Sequence, residues 1–332
     1  MGNRTLRIDE AVELVAAALR RCRTSPANAE AVARALVLAQ AEGLSGHGLV
    51  RAPIYAAQAS NGKIDGSAVP TLTRPAPGVV AIDAANGFAY PALDMAIAAL
   101  PEMTRTQGVA VAAIHRSHHC GAAGHPVEKL AGAGLVALHF ANTPAAIAPW
   151  GGSRGLFGTN PIAFACPVPD SDPIVVDLSL SKVPRGKILA ARQKGEQIPD
   201  DWAFDVDGRP TTDPDAALNG TMVPVGDAKG TALALMVELL AAGLTGANYA
   251  TEASSFLNAD GPPPGTGQLI VAFDPVRIGG AGTPARFGVL AEMIEADTNT
   301  RLPGKRRFEN RADAEKNGLT VSDTLLAEIE NL

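Results

Sequence analysis

The chain has 332 residues, long for a single core and enough for one or two packed domains. Its 28 Lys and Arg against 34 Asp and Glu give a net charge of −6, which excludes the basic field that a general nucleic-acid or membrane-surface binder needs. Apolar residues at 46% exclude wholesale disorder, and three scattered cysteines (Cys22, Cys120, Cys166) form no disulfide framework and fit a reducing cytoplasm.

The first third reads as helical. Asp9 is placed to cap a helix running to about Cys22. Ser25-Pro26 starts a second helix, with Ser as N-cap and Pro at the first helical position, and that helix stops near Gly43. A turn-rich stretch from Asn61 to Pro77 follows, then a strand at Val79–Ile82 and a helix from Ala92 to Thr106. The middle is built of short apolar runs bounded by Gly, Pro or Asp: 108–114, 134–140, 162–166, 174–178 and 268–273. These read as buried strands, with a short helix at Pro126–Ala133. Lys229 to Leu244 reads as a long buried helix, too short and too interrupted (Glu238) to span a bilayer. Helices at Ala285–Asp297 and Ser322–Asn331 close the chain, with LPGKRRFENR as a loop between them and the Gly-rich Arg277–Thr283 as a hinge. The opening residues carry acids early and lack an apolar run, so they do not read as a signal peptide. The class is α/β.

No strand is followed by G-x-G-x-x-G, and no G-x-x-x-x-G-K-[ST] occurs. On motifs alone an ordinary Rossmann or P-loop enzyme is not indicated. Chemistry-bearing residues nevertheless cluster. In Ser45-Gly46-His47-Gly48-Leu49-Val50-Arg51 a helical path sets Arg51 one turn after His47 and Tyr55 a turn further. A histidine can protonate a carbonyl oxygen that is being reduced, and an arginine can fork a carboxylate. Pro53 interrupts such a helix unless it lies in the first turn, and a solvated His and Arg at a turn is the plain alternative.

His115, His118, His119, Cys120 and His125 form a second group just after a buried strand. Their spacing suits zinc poorly, because adjacent His118 and His119 cannot both point inward from one element. A loop whose Gly121 and Gly124 admit a ligand to the backbone is the preferred reading, beside a metal-dependent hydrolase or lyase and ordinary capping histidines. Gly158-Thr159-Asn160-Pro161 offers small polar side chains to a ring amide or hydroxyls, and is equally simple turn chemistry. Asp205-Val206-Asp207-Gly208 lacks the later ligands of a calcium loop. Lys229, at a helix start, suits an anion if buried, and Gly304-Lys305-Arg306-Arg307 is a basic spot for a phosphate or for solvent.

In order along the chain, GHGLVR (46–51), SHHCGAAG (117–124), PWGG (149–152), GTNPIAFACP (158–167), VVDLSLSKVPRGKI (175–188), PTTDPDAAL (210–218), KGTALALMVELLAAGLTGA (229–247) and LPGKRR (302–307) resemble one family throughout. It is the family of malate/lactate dehydrogenases that lack the Rossmann fold, which includes sulfolactate, ureidoglycolate and diketogulonate dehydrogenases and piperideine- and pyrroline-2-carboxylate reductases. The resemblance implies a non-Rossmann α/β fold. A mostly antiparallel cofactor-binding sheet (116–275) would join a helical substrate domain (1–115 with 276–332). It further implies a homodimer that uses NAD or NADP on a small 2-oxo or 2-hydroxy acid, without nucleic acid, membrane or metal. His47 matches the proton donor and Arg51 the carboxylate binder; His119 and Asn160 would border the nicotinamide. His119, Cys120, Gly121, Ala122, Ala123, Thr159, Asp177, Leu178, Ser179, Arg185, Gly186, Gly304, Lys305 and Arg306 match cofactor-contacting positions, with Lys229 nearby. Arg185 and the 305–307 cations lean toward the 2′-phosphate of NADP.

Two departures bear on substrate. The family usually reads Ser-His-Gly where this chain has Gly46-His47-Gly48. The Asp that assists the histidine in the cyclic-imine reductases is here Lys187. Both point away from imines and toward 2-oxo acids.

Overall fold

A computed structural model of the chain describes residues 2–332. The N-terminal part is β1 (Asn3–Leu6), α1 (Ile8–Arg21), α2 (Pro26–Ala41) and α3 (Ala52–Ser60). Ser25 caps α2 by accepting from the Asn28 amide, with Pro26 opening the helix as expected. The α1 cap differs: Arg7 is the N-cap, Glu10 reaches back to its amide, and Asp9 lies inside the first turn, ion-paired with Arg7.

Then come β2 (Thr71–Ala76), β3 (Val79–Asp83), α4 (Ala89–Gln107), β4 (Val109–Ser117), α5 (Gly124–Gly132), β5 (Val136–Ala141), β6 (Ile162–Cys166) and β7 (Ile174–Leu178). Next are α6 (Arg185–Lys194), β8 (Ala203–Phe204), α7 (Pro214–Asn219), β9 (Thr221–Met222) and α8 (Ala228–Glu238), followed by β10 (Thr266–Phe273) and α9 (Pro275–Gly279). The chain ends with α10 (Thr283–Glu295), α11 (Lys305–Asn317), β11 (Leu319–Ser322) and α12 (Asp323–Glu330).

One seven-stranded sheet, in the order β2-β3-β4-β10-β5-β6-β7, dominates. Only β3 and β4 pair in parallel; every other neighbour is antiparallel. The expected mostly antiparallel, non-Rossmann sheet is therefore present, and no βα turn of the glycine-fingerprint kind is needed. Side-chain alternation covers both faces. Ala110, Ala112, Ile114, Ile270 and Ala272 pack with α4 and α5, whereas Leu269, Val111 and Val271 face the layer that holds Val237 and Ala241. A separate helical core gathers α1, α2, α3 and α12 around Leu19, Leu36, Leu49 and Tyr55.

Four expectations need correction. The turn-rich stretch contains β2, an edge strand that tolerates Pro75 because its register shifts between Thr73 and Ala76. The basic loop 302–311 is mostly helix, since α11 begins at Lys305 behind Gly304 in a left-handed conformation. The long helix from Lys229 stops being α-helical at Glu238 and continues as a π-turn, Leu239–Gly243. Strand β4 spans residues 115 and 116, and its neighbours β3 and β10 lie on either side of that position in the chain. The pairing of β1 with β11, which ties the two chain ends together, and helices α6 and α7 were not anticipated. Arg277–Thr283 is α9 plus a turn into α10, not an open hinge.

Candidate active site

Helix α2 ends at Ala41, Gly43 turns the chain away in a left-handed conformation, and two single 3-10 turns follow, Ser45–His47 and Leu49–Arg51, separated by Gly48. The helical path from His47 to Arg51 is thus broken once. A Cβ on Gly48 would lie 2.5 Å from the Gln40 side-chain oxygen and 3.1 Å from its Cα, so only glycine lets the segment pass this close to α2. Pro53 falls in the first turn of α3, where its missing N–H costs no helical bond. Arg51 precedes α3 and donates from Nε to the Gly46 carbonyl at 2.7 Å; it has no carboxylate partner among the described residues. One turn on, Tyr55 is fully buried.

Chain crossing brings His119 to this segment from the loop after β4. The rings of His47 and His119 stack with centroids 5.2 Å apart and planes 14° from parallel. Nδ1 of His119 meets the Tyr55 hydroxyl at 2.5 Å, and Tyr55 in turn lies 3.4 Å from the Tyr90 hydroxyl. Phe256 packs against both His118 (5.1 Å) and His119 (5.3 Å). Its loop is pinned by the ammonium of buried Lys63, which donates to the carbonyls of Ser255, Asn258 and Asp260, and by Gln58.

Electrostatics follow from burial. Desolvation, and then the nearby Arg51 guanidinium, push His47 down to about 4. Desolvation drives His118 to about 3 and His119 well below the usual imidazole range. All three are neutral at pH 7. Nδ1 of His47 is sealed from solvent and has no partner. Burial pushes the Cys120 thiol up to about 12, so it is an inert wall rather than a nucleophile.

Beside the histidines lies a floor of small residues: Gly121 with φ +71°, Ala122 and Ala123. The Gly124 amide donates to Asp177 at 2.8 Å, and a Cβ on Gly124 would come within 2.5 Å of Arg307 and 3.0 Å of Asp177. Asp177, the last residue but one of β7, thus lies directly against the loop that carries His119. Thr159 borders the same strand end, where its carbonyl accepts from the Ser179 hydroxyl at 3.4 Å; Leu178 is exposed. Arg185 opens α6, half-buried, with one N–H on the Leu218 carbonyl, a sealed unpartnered Nε and no acid beside it; burial lowers its affinity for the proton. Gly186 has open space around it. Gly304 approaches the Val175 backbone so closely that a Cβ would lie 3.0 Å from its carbonyl oxygen.

Other expected residues stand apart. Asn160 is fully buried with φ +37°, and both its N–H donors are taken, by the Ala234 carbonyl and by Glu238 at 2.7 Å. Its amide is committed to holding the π-turn helix and has no donor left for a nicotinamide. Lys229 is exposed, not buried. Lys305 is exposed and pairs with Glu295, and Arg306 is exposed. The histidine group disperses: His115 lies near Asp83, His125 bonds Glu42 at 3.0 Å, and His118 sits in an aromatic box with neither nitrogen partnered. Among the described residues no three His, Cys, Asp or Glu side chains converge as a metal-binding set.

Sequence reasoning missed a buried hub. Glu42, at the end of α2, accepts from His125, from Arg307 Nε at 2.8 Å and from Arg311; Arg307 also reaches Asp177, and Arg311 reaches Glu128. Burial alone would raise this carboxyl, but His125, Arg307 and Arg311 together hold it down at about 2. Tyr90, Phe256 and Lys63 were also missed; in sequence each looks like ordinary packing or surface. Glu42 had one signal, an acid at a helix end, where the macrodipole disfavours it without compensation.

Compared with known proteins, residues 6–330 match the family model described as malate/L-lactate dehydrogenase. The chain is 48% identical to a (2R)-3-sulfolactate dehydrogenase (NADP(+)) from Chromohalobacter salexigens over 311 residues, covering 94% of this chain and 93% of that one. It is 42% identical to a Δ1-pyrroline-2-carboxylate/Δ1-piperideine-2-carboxylate reductase from Pseudomonas putida, covering 91% and 90%. Among solved structures, Δ1-piperideine-2-carboxylate reductase from Pseudomonas syringae superposes with a TM-score of 0.94 at 37% identity, covering 99% of each chain. Sulfolactate dehydrogenase from Methanocaldococcus jannaschii superposes with a TM-score of 0.88 at 27% identity, covering 99% and 96%.

Proposed function

The chain belongs to the malate/L-lactate dehydrogenase family and is an NAD(P)-dependent oxidoreductase, and we propose that it interconverts a small 2-oxo acid and its 2-hydroxy acid, of malate, lactate or sulfolactate type. The observation that carries this reading is the stack of His47 on His119 beside an Arg51 with no carboxylate partner among the described residues. Arg51 binds the substrate carboxylate through the N–H groups not used on Gly46. His47 exchanges the proton at the substrate oxygen. The neutral imidazole takes the proton of an alcohol; for reduction the ring must first be protonated. A carboxylate on Arg51 offsets the positive charge that disfavours that state, so anion binding and proton uptake by His47 are coupled.

The residues present fit a dinucleotide. Asp177 stands near a strand end as a hydroxyl acceptor, and Arg185 carries a positive charge with no acid beside it among the described residues, whereas the space at Gly121 and Gly124 is taken by Tyr90 and by Arg307 and Asp177. When bound, the nicotinamide supplies or accepts the hydride. Ala122, Ala123, Asp177, Ser179 and Thr159 are assigned to the cofactor, with the ring next to His119. Asn160 serves from behind, by holding the wall. Arg185 supports NADP over NAD, in keeping with the NADP(+)-dependent relative.

A homodimer in the cytoplasm completes the reading. Val289, Leu290 and Met293 lie exposed on α10, and Leu233, Met236 and Leu239 on and just after α8, which supports burial against a second copy. No helix of the described residues is long and apolar enough to cross a membrane. The three cysteines are buried and unpaired.

The test is oxidation of NADPH and NADH against pyruvate, oxaloacetate, sulfopyruvate and the two cyclic imines. Turnover of a 2-oxo acid at least tenfold above either imine is expected. Turnover of an imine alone moves the chain to the reductases, and none with any partner removes the reading.

A further inference from the structure

We propose that Tyr55 and Tyr90 are positioning residues that fix His119 as its Nε2–H tautomer, setting a second, uncharged hydrogen-bond donor beside His47. The inference deepens the reading above: His119 would donate to an oxygen of the bound acid while His47 handles the proton.

The direction of the bonds follows from donor counting. A neutral imidazole has one N–H and one acceptor nitrogen, and the bond that one nitrogen makes decides the other. His119 Nδ1 and Tyr55 Oη are 2.5 Å apart, at the short end of the range for a hydroxyl donor and shorter than an N–H donor usually comes to oxygen. A phenol is also the better donor and a ring nitrogen the better acceptor. Tyr55 and Tyr90 are buried phenols, the first pushed up to about 12 by desolvation and the second well above the usual value. Both keep their protons across the working range.

The third oxygen decides the remaining ambiguity. If Nδ1–H donated to Tyr55, Tyr55 would donate to Tyr90, and the buried Tyr90 hydroxyl would have no acceptor. With the order Tyr90 to Tyr55 to His119, no donor is orphaned; the Tyr90–Tyr55 contact, at 3.4 Å, is the weaker link. Nε2 then carries the hydrogen. It makes no bond among the described residues, and it is not one of the sealed, unpartnered ring nitrogens, which belong to His47, His118 and His139. Gly121 secures the arrangement, because a Cβ there would lie 2.7 Å from the Tyr90 hydroxyl.

Long-range proton–nitrogen NMR of the whole protein labelled with 15N-histidine, at neutral pH and without substrate, reads the tautomer directly; His119→Gln assigns the signal. Protonated Nε2 is expected. In Tyr55→Phe the ring should change tautomer or become a mixture, with kcat lower by about 10- to 100-fold and the KM for NADPH within about twofold. Tyr90→Phe should move both in the same direction by less. A wild-type ring protonated at Nδ1 overturns the proposal. So does a Tyr55→Phe protein that keeps the tautomer, whatever its rate. If Tyr55→Phe fails to fold, the wild-type spectrum and Tyr90→Phe decide. A wild type idle on every acid and imine would remove the functional reading, whereas the tautomer would still stand or fall by the spectrum.

Discussion

His47, from the turn after α2, and His119, from the loop after β4, stack 5.2 Å apart, and both rings are neutral at pH 7. With His47 held near 4 by burial and by Arg51, the resting protein is already the base form needed to oxidise an alcohol. Reduction needs the protonated form, whose share falls about tenfold per pH unit above that value. The expected profiles are therefore unequal. Between about pH 5 and 8, kcat/KM for the 2-oxo acid should fall steadily, while kcat/KM for the 2-hydroxy acid stays nearly flat. Parallel profiles in the two directions would take the proton transfer away from His47.

Arg51 spends one N–H on the Gly46 carbonyl and leaves the rest of its fork for a ligand. Charge-assisted bonds of this kind contribute about 1.5–3 kcal/mol each, so Arg51→Met should raise the KM of the acid by about 10- to 100-fold or more. KM for NADPH should change little. Removing the cation also relieves part of what depresses His47, so the break in the pH profile should move upward from about 4, short of the ordinary value because burial remains. Steady-state kinetics with both substrates varied reads both effects.

Glu42 joins three elements through one buried carboxylate: α5 by His125, and α11 by Arg307 and Arg311. Glu42→Gln leaves two guanidinium groups facing a neutral amide, and breaking such a buried pair costs about 3–5 kcal/mol. Urea unfolding at pH 7 should show that loss. Because pairing depresses the folded carboxyl to about 2, its contribution is complete above the usual carboxylate range and is lost as pH falls through about 2. The gap between wild type and Glu42→Gln should therefore close only at strongly acid pH.

What the sequence disclosed depended on how local the cause was. Ser25-Pro26 declares a helix start by itself, and the apolar runs of β4, β5 and β10 declare buried strands. Strand β2 hides behind Pro75 because edge pairing, a tertiary fact, is what makes that proline tolerable. Helix α11 hides because KRRFENRADAEKN has almost no apolar face; of its three arginines, Arg307 and Arg311 are held by acids distant in sequence. At the site, His47, Arg51 and His119 carry unusual chemistry in short motifs and were legible. Tyr90 and Phe256 were not, since an aromatic near an apolar run looks like core until the fold sets it against a histidine. Asn160 misled for the opposite reason: a polar residue beside Pro161 suggests an exposed loop, yet Glu238 draws it inward.

By the family resemblance, Gly46 and Lys187 stand where a cyclic-imine reductase would carry a serine and an aspartate. Gly46 is exposed, with no atom within 4 Å of a built Cβ, so serine can enter without strain. Lys187 is exposed and lies over the Trp202 ring at 5.6 Å, where its loss disturbs no buried group. Meanwhile Nδ1 of His47 waits without a partner, sealed from water. By the same resemblance, a hydroxyl at 46 and a carboxylate at 187 would assist this imidazole and favour its protonated form, the proton donor that C=N reduction needs. Gly46→Ser with Lys187→Asp should therefore raise the ratio of pyrroline-2-carboxylate to 2-oxo acid kcat/KM by about tenfold or more, with smaller effects for each change alone. The measurement is the four-member cycle assayed with NADPH on both substrates. An unchanged ratio across the cycle would mean that these two positions do not choose between oxygen and nitrogen at the reacting carbon.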